Sequence, residues 1–223
     1  LPRYAAVVFD MDDTVISRAD AFQRYLERFY REHEALHGTP IQPALDLMTQ
    51  WDCRGDNDKI EYFGKVKAEW PGLEETIDVL IDQFWGLLAE EVEPDHSSNE
   101  VLGQLNQAGV PWGIVTNGQS KMQRRKTVRA GLIPLAPFIL VPSEFGDQKP
   151  SPAVFIKAVE ETGSFASETL FVGDNPVTDI RGAQSIGMPT AWMKAGRTEW
   201  DGGTPEPDHQ IDHIRELLPF LIK

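Results

Sequence analysis

Three things are scarce in this chain of 223 residues. It has one cysteine, Cys53, so no disulfide framework forms within it, and a reducing, cytoplasmic setting is the expectation. It has no apolar run of about 18 residues, the minimum for a spanning helix, and its opening residues show no signal-peptide pattern. Positive charge is also short: 21 Lys and Arg face 35 Asp and Glu, a formal net charge of -14. That balance argues against nucleic acid or an anionic membrane as a main partner. The 41% hydrophobic content is ample for a buried core in one large domain or two small ones.

What is there starts at Val7-Val8-Phe9-Asp10-Met11-Asp12-Asp13-Thr14. A short apolar run ending abruptly in carboxylates fits a strand buried on both faces of a parallel sheet. Ligands bind beyond the carboxyl ends of such strands. A turn just after Asp10 would let Asp10 and Asp12 face one pocket. Two such carboxylates suit a hard cation such as magnesium, and they suit a division between nucleophile and acid/base. An acidic turn capping a strand would read the same way in isolation.

Downstream the pattern changes. Ser17 to Leu36 reads as a helix with Phe22, Leu26, Phe29, His33 and Leu36 on one face. Further helices are expected over Pro43 to Trp51, Asp58 to Ala68 and Leu73 to Glu91, the last with a stripe of Ile77, Leu80, Ile81, Phe84 and Leu88. After Pro94, strand and helix alternate. Helices are expected over Ser98 to Ala108, Gln119 to Ala130, Pro152 to Glu161, Val177 to Ile186 and Ile211 to Leu217. Strands are expected over Pro111 to Thr116, Phe138 to Val141, Leu170 to Val172 and Thr190 to Met193. Gly202 to Pro207 reads as a loop. The fold expectation is an α/β protein: a doubly wound parallel-sheet, Rossmann-like core of residues 1–16 and 94–223, with an inserted all-helical cap of residues 17–93.

Three more segments sit at expected strand ends. Thr116-Asn117-Gly118 precedes a helix, and a hydroxyl with free backbone N–H groups there makes a phosphate seat. Lys149 lies just before Ser151-Pro152, a good helix start. One ammonium there could neutralise a carboxylate and a phosphate together. Asp174 closes another apolar strand and could share a metal with Asp10, while Asp179 could orient Lys149 or a metal-bound water. Helix capping by Asp174 or Asn175 is the structural alternative. Nucleophile, acid/base, phosphate seat, cation and metal ligand thus occur in one chain, each at the C-terminal end of an expected strand or just before a helix.

With FDMDDT from Phe9, IVTNGQ from Ile114, FGDQKPSP from Phe145 and LFVGDNPVTDIRGAQSIGMPT from Leu170, the chain resembles the haloacid dehalogenase-like superfamily, in the branch with a helical cap between the first two motifs. The resemblance covers the whole sheet domain; the cap matches only in position, length and helical character. It implies a magnesium-dependent phosphatase acting on a small phosphomonoester. Asp10 would be the nucleophile and form an aspartyl-phosphate. Asp12 would protonate the leaving oxygen and then activate water. Thr116 and the Asn117 backbone would hold phosphate oxygens, and Lys149 would steady Asp10 and the phosphate. Asp10, the Asp12 carbonyl oxygen and Asp174 would hold magnesium, with Asp179 and Asn175 in support. The magnesium, Lys149 and helix N-termini would supply local positive potential in an acidic protein.

The superfamily also includes dehalogenases, which lack the second aspartate present here as Asp12. Its phosphonatases use a cap lysine, and Lys59, Lys65 and Lys67 carry no convincing local signature. A phosphomutase or phosphonatase stays as the alternative within the family. A cap of this kind implies a small substrate, with Arg18 and Arg54 as candidate contacts to a second anionic group. A monomer or a homodimer would serve, and a nucleoside monophosphate, a sugar phosphate and phosphoglycolate are all open as substrates. Two rivals come from other classes. One is a non-catalytic binding module, against which the full set of acidic residues argues. The other is a zinc metallopeptidase, since His33-Glu34-Ala35-Leu36-His37 matches H-E-x-x-H. It lacks an evident third ligand, with only Glu61 as a candidate.

Overall fold

The computed structural model describes residues 2–200 and 206–222. The part of the expected Gly202 to Pro207 loop that ends at Pro205 lies outside those residues. The chain opens with β1 (Ala6–Phe9) and then runs through four helices: α1 (Arg18–Glu32), α2 (Ile41–Asp52), α3 (Lys59–Glu69) and α4 (Ile77–Glu90). The remainder alternates: α5 (His96–Ala108), β2 (Trp112–Val115), α6 (Ser120–Arg129), β3 (Ile139–Leu140), α7 (Pro152–Thr162) and β4 (Thr169–Gly173). Then come α8 (Gly182–Gln184), β5 (Thr190–Met193), β6 (His209–Ile211) and α9 (Leu218–Leu221). Two compact units result: residues 1–17 with 93–223, and residues 18–92.

The first unit is a Rossmann-like α/β core, as the alternation implies. Its sheet has strand order β3-β2-β1-β4-β5-β6, and every pairing is parallel. Strand order reverses beside β1, where Phe9 sits between Ile114 of β2 and Val172 of β4. That reversal opens a crevice beyond the strands' carboxyl ends, and Asp10 is the next residue. The strands β1, β2, β4 and β5 are buried along their length, which is why they read as continuous apolar runs. On one face, Val154, Phe155 and Ala158 of α7 pack with Val8, Val115 and Phe171.

The second unit is the all-helical cap. Its interior is aromatic: Phe22, Tyr25, Phe29, Tyr62, Phe63 and Phe84 are all buried, and Tyr25 meets Phe84 edge to face at 5.1 Å between centroids. Asp58 caps α3 through the Ile60 and Glu61 N–H groups, and Thr76 caps α4. The expected start of the last cap helix at Leu73 moves to Ile77 because Thr76 supplies that cap.

Three element expectations need correction. The helix expected to Leu36 ends at Glu32; His33 is extended (φ -119°, ψ 97°), and Glu34–Leu36 is a separate 3₁₀ turn. His33 Nδ1 donates to the Phe29 carbonyl (2.8 Å), closing the helix end with a side chain. The helix expected over Val177 to Ile186 is instead a π-turn, Pro176–Arg181, leading into α8. The Asn175 carbonyl accepts from both Asp179 N (3.1 Å) and Ile180 N (3.3 Å), the mark of the wider turn. The helix expected from Ile211 begins one strand too early, since Ile211 ends β6 and the 3₁₀ turn Ile214–Leu217 follows.

Candidate active site

β1 delivers Asp10 to the crevice, with its N–H donating to the Val172 carbonyl (2.8 Å). The chain then turns sharply: Val15 N and Ile16 N both donate to Met11 O, and Asp13 takes a positive φ of 55°. Asp10 is 6% exposed. A carboxylate so buried needs compensation, and Lys149, 3% exposed, provides it. Lys149 Nζ donates to Asp10 Oδ1 (2.5 Å), Asp179 Oδ1 (2.7 Å) and the Val115 carbonyl (3.0 Å). Burial pushes the Asp10 carboxyl well above the usual range; Lys149 pulls against that, and Asp179, Asp174 and Asp12 add to it. Burial works to lower Lys149, but Asp10 and Asp179 outweigh it and hold the ammonium above its ordinary value.

Lys149 is held at its backbone as well. Asn117 Oδ1 accepts from Lys149 N (2.8 Å), and Asn117 Nδ2 donates to Lys149 O (2.9 Å). The turn after β2 and the loop before α7 are therefore locked together by one amide side chain. Thr116, 1% exposed, lies at the end of β2 beside β1.

The fourth strand end explains its own sequence. Asn175 caps the π-turn, its Oδ1 accepting from Val177 N (2.9 Å) and Thr178 N (3.0 Å). The turn swings Asp179 back onto the end of β4, where Asp179 Oδ2 accepts from Asn175 N (3.0 Å). Gly173 is what admits it: a Cβ there would lie 2.4 Å from Asp179 Oδ2. Asp174 is secured by two side chains. Trp192 Nε1 donates to its carbonyl (2.8 Å), and Arg197 Nη2 reaches both that carbonyl and Oδ2, the latter at 2.9 Å.

Asp10, Asp174 and Asp179 each place a carboxylate oxygen within 4.8 Å of the others. Among the described residues this is the group of His, Cys, Asp or Glu side chains able to share a metal. Hard oxygen donors around a carboxylate-rich, buried point fit a magnesium ion. The Asp12 carboxylate turns elsewhere. It accepts from Lys126 Nζ at 2.8 and 3.0 Å and from Gln123 Nε2 at 3.0 Å.

The sequence reading passed over Gln123, Lys126 and Arg197. The first two carried a usable signal: they lie three residues apart on α6, a helix with few apolar residues for an inward face. That face, with Met122, Gln123, Lys126 and Thr127, is buried. Arg197 follows a turn with positive φ at Ala195 and Gly196, and nothing in its sequence pattern marks it.

The H-E-x-x-H motif does not assemble a metal site. Its two histidines are not on one helix, His37 Nε2 donates to the Tyr30 carbonyl (3.0 Å), and the His33 ring packs against Phe29 at a 32° tilt with centroids 4.0 Å apart. Arg18, a candidate contact to a second anionic group, is buried against Asp52 (2.8 Å).

Residues 7–193 match the family described as haloacid dehalogenase-like hydrolase. A glyceraldehyde 3-phosphate phosphatase of Methanopyrus kandleri is 36% identical over 123 residues, 54% of this chain and about half (53%) of that protein. A ribulose-1,5-bisphosphate 5-phosphatase of Halopiger xanaduensis is 29% identical across 97% of this chain and 98% of its own. Among solved structures, the magnesium-bound HAD-hydrolase YfnB of Bacillus subtilis superposes with a TM-score of 0.76 at 25% identity, covering 97% of both chains.

Proposed function

This chain belongs to the haloacid dehalogenase-like hydrolases, and from that premise we propose that it hydrolyses a small phosphomonoester through an aspartyl-phosphate on Asp10. It is a phosphoric monoester hydrolase, as its phosphatase relatives are named. The observation that carries the finer reading is the buried Asp10–Lys149–Asp179 chain of ion pairs beside Asp174. Asp10 follows β1, Asp174 follows β4, and Lys149, from the loop before α7, also reaches the Val115 carbonyl at the end of β2.

In this reading Asp10, Asp174 and the Asp12 carbonyl oxygen hold magnesium, and Asp179 supports the site by fixing Lys149. When bound, magnesium supplies charge neutralisation that lets an anionic phosphate approach the Asp10 carboxylate. The Thr116 hydroxyl and Asn117 N–H hold phosphate oxygens, and Lys149 balances Asp10 and the phosphate. A carboxylate oxygen of Asp10 attacks phosphorus, and the bond from phosphorus to the alcohol oxygen breaks. That oxygen takes the proton of the Asp12 carboxyl and leaves as the alcohol. The Asp12 carboxylate then takes a proton from the water that attacks phosphorus. The acyl–phosphate bond breaks, and Asp10 is regenerated with release of inorganic phosphate.

Asp12 also weighs against carbon–halogen chemistry, which needs no acid at that position. The named relatives act on phosphorylated small carbohydrates, which puts sugar phosphates first among substrates, ahead of nucleoside monophosphates and phosphoglycolate. Among the described residues no helix is long and apolar enough to cross a membrane. The single cysteine, Cys53, suits a reducing cytoplasm.

A panel of small phosphomonoesters, assayed with magnesium and with chelator beside Asp10→Asn, tests this. Turnover that needs magnesium and is lost in the variant is expected. No release of phosphate from any ester by the folded wild-type protein would overturn the hydrolase mechanism and bring the phosphomutase or phosphonatase reading forward.

A further inference from the structure

α6 presents an unusual buried face. Gln123, Lys126 and Thr127 are each at most 1% exposed. Burying a lysine is unfavourable by several kcal/mol unless a counter-charge and hydrogen bonds receive it. Replacing such an ion pair as a whole with apolar residues is often neutral or stabilising, so a buried lysine paired with a carboxylate calls for a reason other than packing. The structure shows what receives it: Lys126 Nζ donates to both oxygens of Asp12, at 2.8 and 3.0 Å.

Gln123 stands one turn earlier on the same helix face. Its amide Nε2 lies within hydrogen-bond distance of Asp12 Oδ2 (3.0 Å), Thr116 Oγ1 (2.5 Å) and the Asn117 carbonyl (2.7 Å). Two of those acceptors are a carboxylate and a peptide carbonyl, so the amide nitrogen, not its oxygen, must face this side. An amide nitrogen accepts no hydrogen bond, so the proton of the Thr116 hydroxyl points away from Gln123 Nε2. One side chain thus ties the orientation of Asp12 to the turn that holds phosphate.

The two aspartates of the first motif therefore have separate lysines from separate elements. Lys149, before α7, holds Asp10; Lys126, on α6, holds Asp12. We propose that Lys126 and Gln123 are positioning residues for proton transfer: they fix the Asp12 carboxyl relative to the phosphate seat so that it meets the leaving oxygen. This rests on the reading of Asp12 as the acid that protonates the leaving group. Both reach the site through Asp12, and Gln123 also through Thr116 and the Asn117 carbonyl.

The leaving group separates positioning from a general structural role. An alkyl phosphate releases a poor leaving oxygen that needs the proton. p-Nitrophenyl phosphate releases a stable phenolate that does not. The comparison is made on kcat/KM, which reports the steps through phosphoryl transfer and is blind to the later attack of water. Lys126→Met is expected to lower kcat/KM for the alkyl ester about 10²-fold and for the aryl ester less than about 5-fold. Lys126→Arg, which keeps a cation, is expected to recover part of the alkyl activity. Gln123→Met is expected to show the same selectivity more weakly, and it decides the matter if Lys126→Met does not fold. Asp12→Asn is run alongside. If Asp12→Asn is selective for the alkyl ester but both α6 variants lose the two activities equally, the positioning role is overturned and the acid role of Asp12 stands. If Asp12→Asn itself loses both equally, the reading of Asp12 as acid falls, and the inference falls with it.

Discussion

The helical unit and the sheet unit each bury an ion-paired cluster in which the proportions of cation and carboxylate are opposite. In the helical unit a single carboxylate, Asp52, lies between two cations, Arg18 and Lys59, each at 2.8 Å. In the sheet unit a single cation, Lys149, lies between two carboxylates, Asp10 at 2.5 Å and Asp179 at 2.7 Å. The cations of the first cluster are also covered by rings: Arg18 over Phe22, and Lys59 over Tyr62 and Phe84, at 5.1 to 5.4 Å from the centroids. That is the arrangement of a clamp, joining the start of α1 to the end of α2 and the start of α3. The second cluster is rich in carboxylate at the ends of strands, with Asp174 close by. Further positive charge there would come from a metal. In the proposed mechanism the same residue types, in the two proportions, serve cohesion in one place and chemistry in the other.

Three substitutions sharpen or break this contrast. Lys149→Met carries the largest expected effect, since it leaves Asp10 and Asp179 facing each other without their shared ammonium. Loss of the preorganised charge should lower kcat by about 10³-fold on any phosphomonoester. Circular dichroism would show whether the fold is kept, and a kcat within about tenfold of wild type would contradict the assignment. Asp52→Asn comes next. It leaves two cations together in a buried site and should cost about 3–5 kcal/mol of stability in a denaturant titration. A change below about 1 kcal/mol would mean that the cluster is not a clamp. His33→Ala should have the smallest effect. It removes a ring packed against Phe29 and a helix-end hydrogen bond to the Phe29 carbonyl, at about 1 kcal/mol. The metal content of the purified protein should not change; stoichiometric zinc lost in this variant would restore the peptidase motif.

The sheet unit was largely legible because its strands are buried on both faces. Ala5 to Phe9 and Leu170 to Val172 need no alternation to be recognised, and each stops at an aspartate. β6 escaped for the complementary reason. His209-Gln210-Ile211 is a short edge strand with only Ile211 buried, so no apolar run betrays it. The end of α1 and the π-turn after β4 depend on local hydrogen bonds, from His33 to Phe29 and around Asn175, that periodicity does not carry. At the site, Asp10, Lys149, Asp174 and Asp179 stand next to recognisable strand or helix boundaries, and the structure brings them together. Gln123 and Lys126 lie in mid-helix. Their role follows from where α6 lands, which no local spacing records, and only the lack of apolar residues on that helix hinted that its inward face meets charge.

The central claim is that Asp10 is phosphorylated during turnover. Borohydride reduces an acyl phosphate at an aspartate to homoserine, so quenching the enzyme with borohydride during steady-state turnover of a phosphomonoester, followed by peptide mass mapping, reads it directly. The account predicts homoserine at position 10, dependent on substrate and magnesium and absent from Lys149→Met. Robust phosphate release with an unmodified Asp10, or reduction at a different carboxylate, would contradict it.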